Sequence, residues 1–453
     1  MNASASDRFV IPIGPQHPAL KEPGHFEFTV EGETVIDATV RLGYAHRGIE
    51  KGAEGRNWTQ SLYLLERICG ICSHIHSTAY VVGVEQMAEV EVPARAQAIR
   101  ETIAELERIH SHMLWLGVAA HDAGFDSLFM YTWRDRETVM DLLEAISGNR
   151  VHYSANSLGG VKFDLSDETA AAILKGIDFL EERTRHYREV VSQDAFFLQR
   201  TRNVGTMTRE EALQLGVVGP TARASGVARD VRVDAPYIAY NEFPAQIQLL
   251  GAGDLEARFL VRIDEMLDCY RLIRELLAGM PAGELTAKRM PRKLKPGEVI
   301  SRVEAPRGEL FYYIRSTGGE QPDRVKVRTP TLCNMGSVLT QTVGHNLADV
   351  PMILVGIDPC FSCNDRAVSV RRAGRAEGQA WSWADLRRYG INYYRRQLNL
   401  DTDHRPTDLL NTVNWTLTTA PCAFSSPAEP ASSARRWPTG WRLTAISFRR
   451  STT

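Results

Sequence analysis

Two Cys-x-x-Cys pairs constrain this chain more than any other feature. One stands in ERICGICSHIHS, as Cys69 and Cys72; the other stands in DPCFSCNDR, as Cys360 and Cys363. About 290 residues separate them, where a local zinc ribbon has roughly 15–20. A local knuckle is therefore the wrong picture, and a shared site requires a fold that brings an early and a late segment to one point. Four thiolates at one point can hold a closed tetrahedral zinc ion, an iron–sulfur cubane or another soft redox metal. Four independent thiols are the remaining reading. Cysteine count alone favours zinc. The neighbours shift that balance, because a structural zinc site needs no carboxylate, arginine or proton path beside it. Here Asp358 precedes one pair, and His74 and His76 follow the other. A thioredoxin-type dithiol is disfavoured, since the first pair sits in no βαβ context.

Composition narrows the setting. A length of 453 residues allows a substantial core and suggests roughly two to four domains. The formal net charge of -2 gives no basic face and so no electrostatic case for nucleic acid. The start, MNASASDRFVIPIGP, has no basic stretch followed by an apolar run, so no secretory signal is expected. No apolar run reaches the roughly eighteen residues of a membrane span. Seven cysteines are an odd number for a disulfide framework, and four lie in the two pairs. That usage favours metal or redox chemistry in a reducing compartment, with the cytoplasm as the expected location.

Periodicity suggests the organisation. FEFTVEGETVIDATVRLGY alternates apolar with polar residues across a Gly-Glu turn, as a β-hairpin would. The pattern turns helical from about Thr59. Between Pro93 and Ala120, Ile99, Ile103, Leu106, Ile109 and Met113 recur on one face. Further helical patterns run through DETAAAILKGIDFLEERTRHYREVVSQDAFFLQR and GDLEARFLVRIDEMLDCYRLIRELLAGM, the latter stopping near Gly279 because Pro281 cannot continue it. A second β-like region covers about residues 297–328. The expected fold class is α+β: a mainly helical bundle core with small flanking β-sheets. After Arg366 lysine disappears and five of the eight tryptophans cluster. WSWADLRRYGINYYRRQL could form a short amphipathic helix. The stretch from about Asn399 is rich in Ser, Thr, Ala, Pro and Arg, a composition expected to be disordered.

RICGIC and DPCFSC together resemble the two metal-binding signatures of NiFe hydrogenase large subunits. GPQHPALKEPGHF, RLGYAHRGIEK, ASGVARDVR and VKVRTPT resemble the group 4, energy-converting hydrogenases and the related 49 kDa-type subunit of respiratory complex I. The resemblance covers about residues 9–398. It implies residues 1–366 as a catalytic domain and 367–453 as a C-terminal extension removed on maturation, with Arg366–Ala367 as the processing bond.

The resemblance also implies roles. Cys69 and Cys360 would be terminal nickel ligands, and Cys72 and Cys363 would bridge nickel to an iron carrying one carbon monoxide and two cyanides. Arg307, in EAPRGEL, would lie over the open metal site, with Pro306 shaping the pocket and Asp358 pairing with Arg307. Read without the family, Arg307 is a surface or ion-paired residue and Asp358 a turn residue before Pro359. Glu50, in HRGIEK, would pass protons to or from a terminal thiolate; its plain reading is a surface glutamate beside Lys51. His76 would hydrogen-bond a bridging sulfur. His74 has no counterpart, and His17 could be purely structural. His110, His112 and His121 read as helix-surface or packing residues. Cys269 and Cys333 read as small buried apolar residues, and Cys422 lies outside the core. Many family members place a histidine three residues after the last cysteine of the second pair. Here Arg366 stands there, which leaves a histidine-ligated magnesium site open.

The implied function is interconversion of H2 with protons and electrons. Electrons would leave through a 4Fe-4S cluster in a small subunit, since this chain has no further cysteine set for one. The implied partners are that small subunit, ferredoxin-like carrier subunits, membrane antiporter-like subunits, maturation factors and an endopeptidase. The chain would be peripheral, on the inner face of the cytoplasmic membrane. The alternatives are a complex I-type quinone-module subunit without nickel and a structural four-cysteine zinc scaffold.

Overall fold

The structure, a computed structural model, describes residues 8–364 and, beyond them, residues 369–372, 388, 392, 441–444 and 447–448. Residues 1–365 with 447–453 form one compact unit, and residues 366–446 form another. The second is described mainly through the antiparallel pairing of Ser369–Arg372 with Trp441–Thr444. The bond Arg366–Ala367 and most of the C-terminal extension lie outside the described residues.

The first unit is α+β, as its periodicities suggest. Strands β1 (Arg8–Ile13), β2 (His25–Glu31) and β3 (Thr34–Arg41) form an antiparallel meander, and Ser447–Phe448 pairs with β3. Phe26, Phe28 and Val30 alternate inward along β2, the period of two that buries one sheet face.

Helices follow: α1 (Ile49–Glu54), α2 (Trp58–Glu66), α3 (Ser73–Ala88), α4 (Ala94–Asp122), α5 (Asp126–Ser147) and α6 (Asp167–Gln193). The helical pattern expected to run through DETAAAILKG…QDAFFLQR is interrupted. Asp194 leaves the helical region, and its side chain accepts the Phe197 N–H to start a new short helix at Ala195. Helix α7 (Leu255–Ala278) ends at the expected Gly279.

The axis of the bundle is α4. It packs against α5 and α7, and α6 closes the other side. Ile99, Ile103, Leu106, Ile109 and Met113, the apolar face read from sequence, are all buried in the main core. So much of α4 is enclosed that its charged residues are also withdrawn from water, and buried charges need partners.

Strands β4 (Gly297–Ala305), β5 (Gly308–Ser316) and β6 (Arg324–Arg328) form a second antiparallel sheet, which packs on α3. Helices α8 (Pro330–Thr342) and α9 (Val350–Gly356) then lead to the second cysteine pair. Phe361, inside that pair, packs edge-on against Phe26 of β2 with ring centroids 6.2 Å apart. The N-terminal sheet thus anchors the late cysteine segment, and the α2–α3 junction supplies the early one.

Candidate metal centre

The fold brings the two distant pairs together. Cys69 lies in the turn after α2, and Cys72 precedes α3. In that turn the N–H groups of Ile71 and Cys72 donate to Cys69 Sγ at 3.3 and 3.4 Å, a pattern that favours a thiolate. On the other side, the chain leaves α9 through Asp358, whose φ of 53° is left-handed, and enters a short 3-10 turn over Phe361–Cys363. The Cys360 N–H donates to Thr331 Oγ1 at 3.2 Å. All four cysteines are buried. Cys69 and Cys360 sulfurs are 3.5 Å apart, and those of Cys360 and Cys363 are 3.1 Å apart. Cys69, Cys72 and Cys363 sulfurs all lie within 4.8 Å of one another.

Four sulfurs this close cannot all be anions without a cation to share. Cys69 is held well below an ordinary thiol by hydrogen bonds from Cys360, Cys363 and Cys72. Cys363 is pushed up by its contacts with Cys360, Cys69 and Cys72 and by burial. The donor set fits a soft metal centre. With metal–sulfur bonds of about 2.3 Å, two sulfurs on one ion lie up to about 4.6 Å apart.

His76 lies beside the second cysteine pair. Its Nε2 is 3.7 Å from Cys363 Sγ, and its Nδ1 is 2.8 Å from the Tyr312 hydroxyl. His74 turns elsewhere: Nε2 bonds the Arg100 carbonyl at 3.0 Å, and burial lowers its imidazole to about 4, so it is neutral.

Arg307 sits at the tip of the β4–β5 hairpin, next to Pro306. Its Nη2 donates to Asp358 Oδ1 at 2.7 Å, its Nε donates to the Asp358 carbonyl at 2.8 Å, and its Nη1 reaches Ser111 Oγ at 3.3 Å. Burial opposes the charge of Arg307, but Asp358 and the Cys360, Cys72 and Cys69 sulfurs hold the guanidinium protonated, well above its ordinary value. Asp358 Oδ2 has no hydrogen-bond partner, and burial pushes this carboxyl up against the pull of Arg307 and Arg262. The hairpin tip touches Gly219 backbone to backbone. A Cβ on Gly219 would lie 2.4 Å from the Arg307 carbonyl oxygen, and Gly219 itself has φ 69°, so glycine is required there.

Glu50 stands in the first turn of α1, half-buried. Its Oε1 accepts the Val327 N–H at 2.9 Å, and its Oε2 accepts from Lys326 Nζ at 3.2 Å. Lys51, its sequence neighbour, instead pairs with Glu54. Ile49 packs against the apolar cluster that contains all four cysteines.

Other residues correct or extend the sequence reading. Of the two readings left open for His110 and His112, helix surface or packing, both residues take the second, fully buried. His110 Nδ1 accepts from Arg136 Nε at 2.9 Å, and His112 Nε2 lies 3.0 Å from Glu265 Oε2. Only His121 of the three is exposed, beside Asp126. Cys269 is buried but not merely apolar, since its thiol donates to Glu105 at 2.8 Å; Cys333 is half-buried. His17 is exposed, with Nδ1 accepting the Ala19 N–H, and Cys422 lies outside the described residues.

Sequence reasoning missed Glu107. From α4 its carboxyl accepts the N–H groups of His74 and Ile75 at 2.7 and 3.0 Å, capping α3 immediately after Cys72 where no local side chain does. Burial pushes Glu107 up to about 8 against these hydrogen bonds. The sequence also hid Arg223, which is fully buried among Glu265, Glu304 and Asp230 at 2.6, 2.8 and 3.4 Å. Arg223 left a signal, a charged residue in a glycine-punctuated stretch, whereas Glu107 stands among the other charges of α4 and left none.

The chain is similar to proteins of two related families. Residues 122–296 and 289–366 match the family model described as respiratory-chain NADH dehydrogenase, 49 Kd subunit. Residues 47–191 match that of nickel-dependent hydrogenase. The membrane-bound hydrogenase subunit alpha of Pyrococcus furiosus is 42% identical over 378 residues, covering 80% of this chain and 88% of that protein. An NADH-quinone oxidoreductase subunit from Dehalococcoides mccartyi is 38% identical, covering 80% of this chain and 100% of that protein. Among solved structures, a chain of the membrane-bound sulfane sulfur reductase, an archaeal respiratory membrane complex, superimposes with a TM-score of 0.76 at 33% identity, covering 80% of this chain and 99% of that one.

Proposed function

The chain belongs to the family that unites nickel-dependent hydrogenase large subunits with 49 kDa-type subunits of respiratory NADH dehydrogenases, and from that membership we propose that it is the catalytic subunit of a group 4 NiFe hydrogenase. The observation that carries this reading is the convergence of both Cys-x-x-Cys pairs beside the buried Arg307–Asp358 pair. The NADH-quinone oxidoreductase relatives share the family and are named for quinone chemistry; the four converging sulfurs of this chain favour the metal-bearing branch.

Cys69, Cys72, Cys360 and Cys363 would hold a nickel–iron centre with carbon monoxide and cyanide on iron. When bound, that centre supplies heterolytic activation of H2, which yields two protons and two electrons. The chain's own residues do the rest. A cysteine sulfur accepts the first proton, and Glu50 carries it away at a carboxylate oxygen. Arg307 keeps a fixed positive charge in a water-poor pocket, where charge acts most strongly. His76, steadied by Tyr312, donates toward Cys363 Sγ and tempers its basicity. A separate small subunit holding a 4Fe-4S cluster would take up the electrons. Ferredoxin-like carriers and membrane antiporter-like subunits would complete the complex, on the inner face of the cytoplasmic membrane. Among the described residues no helix is long and apolar enough to cross a membrane, which suits a peripheral position.

The test is the metal content and infrared spectrum of the purified active complex. Nickel and iron near one each, with carbon monoxide and cyanide bands, are expected. Zinc alone in active protein would select the structural-scaffold reading. No nickel, with retained quinone-linked electron transfer, would select the quinone-module reading.

A further inference from the structure

Arg47 carries an arrangement that its place in an exposed loop does not suggest. Its Nη1 donates to the Arg67 carbonyl at 2.8 Å, and its Nη2 donates to the Ile68 carbonyl at 2.6 Å and the Ser362 carbonyl at 3.1 Å. The first two carbonyls follow the C-terminus of α2, where any cation is welcome. The third comes from the other cysteine segment, 315 positions away, from within the short 3-10 turn Phe361–Cys363.

The peptide units involved are specific. The Ile68 carbonyl and the Cys69 N–H share one peptide plane, and the Ser362 carbonyl and the Cys363 N–H share another. A single guanidinium nitrogen therefore grips the two peptide units that carry one sulfur from each pair. The Ser362 N–H is held from the far side by Glu22 Oε2 at 3.1 Å, so this segment is fixed at both ends. Arg47 also precedes Gly48, the left-handed residue that starts α1 and places Glu50 in its first turn.

We propose that Arg47 is a positioning residue that ties the two Cys-x-x-Cys segments into one metal site and sets the spacing of Cys69 and Cys363. The planar fork of arginine can serve two chain segments at once, whereas a lysine ammonium is a point charge on a mobile stem. This inference rests on the four-sulfur site of the proposed function but not on the identity of its metal.

The test uses metal-free full-length chain, titrated with cobalt(II) and followed by the thiolate-to-cobalt absorption band, together with thermal unfolding. Wild type is expected to give a four-sulfur spectrum. Arg47→Gln and the milder Arg47→Lys are both expected to weaken cobalt binding by about 10-fold or more and to alter the band, while leaving the unfolding midpoint of the metal-free chain in place. Arg47→Lys keeps charge and stem, so it remains readable even where Arg47→Gln does not fold. Wild-type affinity and spectrum in the lysine variant would overturn the proposal, as would a cobalt loss matched by an equal loss of metal-free stability. A wild-type chain that gives the four-sulfur cobalt spectrum but carries no nickel from its host would refute the hydrogenase reading and leave this one standing.

Discussion

Arg307 and Asp358 form a charge pair closed at 2.7 Å with both side chains almost wholly withdrawn from solvent. A second bond, from Arg307 Nε to the Asp358 carbonyl, makes the contact two-pronged. Neither residue belongs to a cysteine pair, yet together they bridge the β4–β5 hairpin tip to the backbone just ahead of Cys360. Arg307→Lys should therefore keep the metal and lose the rate, by about 100-fold or more, because a developing charge loses its fixed donor. Hydrogen-dependent dye reduction alongside nickel content separates the two effects.

Tyr312 is a quieter target. Its hydroxyl meets His76 Nδ1 at 2.8 Å, and the ring otherwise packs in the buried face of the second sheet. Tyr312→Phe keeps the packing and removes this one hydrogen bond from the imidazole. Turnover is expected to fall by about 10- to 100-fold, with shifted infrared bands at unchanged metal loading. Unshifted bands would remove His76 from the sulfur's environment.

Glu50→Gln should abolish both H2 oxidation and H2/D2O exchange, by about 100-fold or more each, if its carboxyl is the first stop for the proton. Exchange needs the proton to leave the site as much as oxidation does. A variant that still exchanges but does not oxidise H2 would assign the proton exit to another group.

Glu101 offers a stability test remote from the metal. It is fully buried on α4, neither carboxyl oxygen has a hydrogen-bond partner, and burial with nearby Glu105 pushes it up to about 10. A folded-state value above the unfolded one means the folded chain holds the proton more tightly. Stability is then unaffected at pH 4 and declines as pH rises from the ordinary glutamate value toward 10. Glu101→Gln should stabilise the chain at pH 8 by on the order of 1–3 kcal/mol and do nothing near pH 4. Denaturant unfolding at the two pH values checks both halves.

The mass of the mature subunit is the direct test of processing. A chain that carries nickel should end at Arg366 and lack residues 367–453. Full-length protein with a complete nickel–iron centre would overturn cleavage at Arg366–Ala367 as a step of maturation.

The parts of this molecule that were legible in the sequence are those written in local periodicity. The apolar face of α4, the end of α7 at Gly279 and the strands on either side of the helical bundle follow from spacing and from glycine and proline punctuation. Asp194, which splits one expected helix, acts through a side-chain cap that periodicity does not register. The cysteines were legible as candidate ligands because their spacing is chemical. Glu107, Tyr312 and Arg47 were not, since each acts on a residue far away in sequence and looks locally like a helix charge, a strand aromatic and a loop cation. For His110 and His112 the sequence leaves helix surface and packing as alternatives, and burial selects packing. Polar residues on a helix suggest a wet face, but α4 is buried over almost its whole length from Ala96 to Ala120 and most of its charged groups find internal partners, Glu101 excepted.

The 291 positions between Cys69 and Cys360 also set a clock. At about 5–20 residues per second, roughly 15–60 s of synthesis separate the emergence of the first pair from that of the second. During that interval Cys69 and Cys72 have neither their sulfur neighbours nor the Ser362 carbonyl that shares Arg47. The early pair is born as two unprotected thiols, and the site can close only after nearly the whole catalytic unit has left the ribosome.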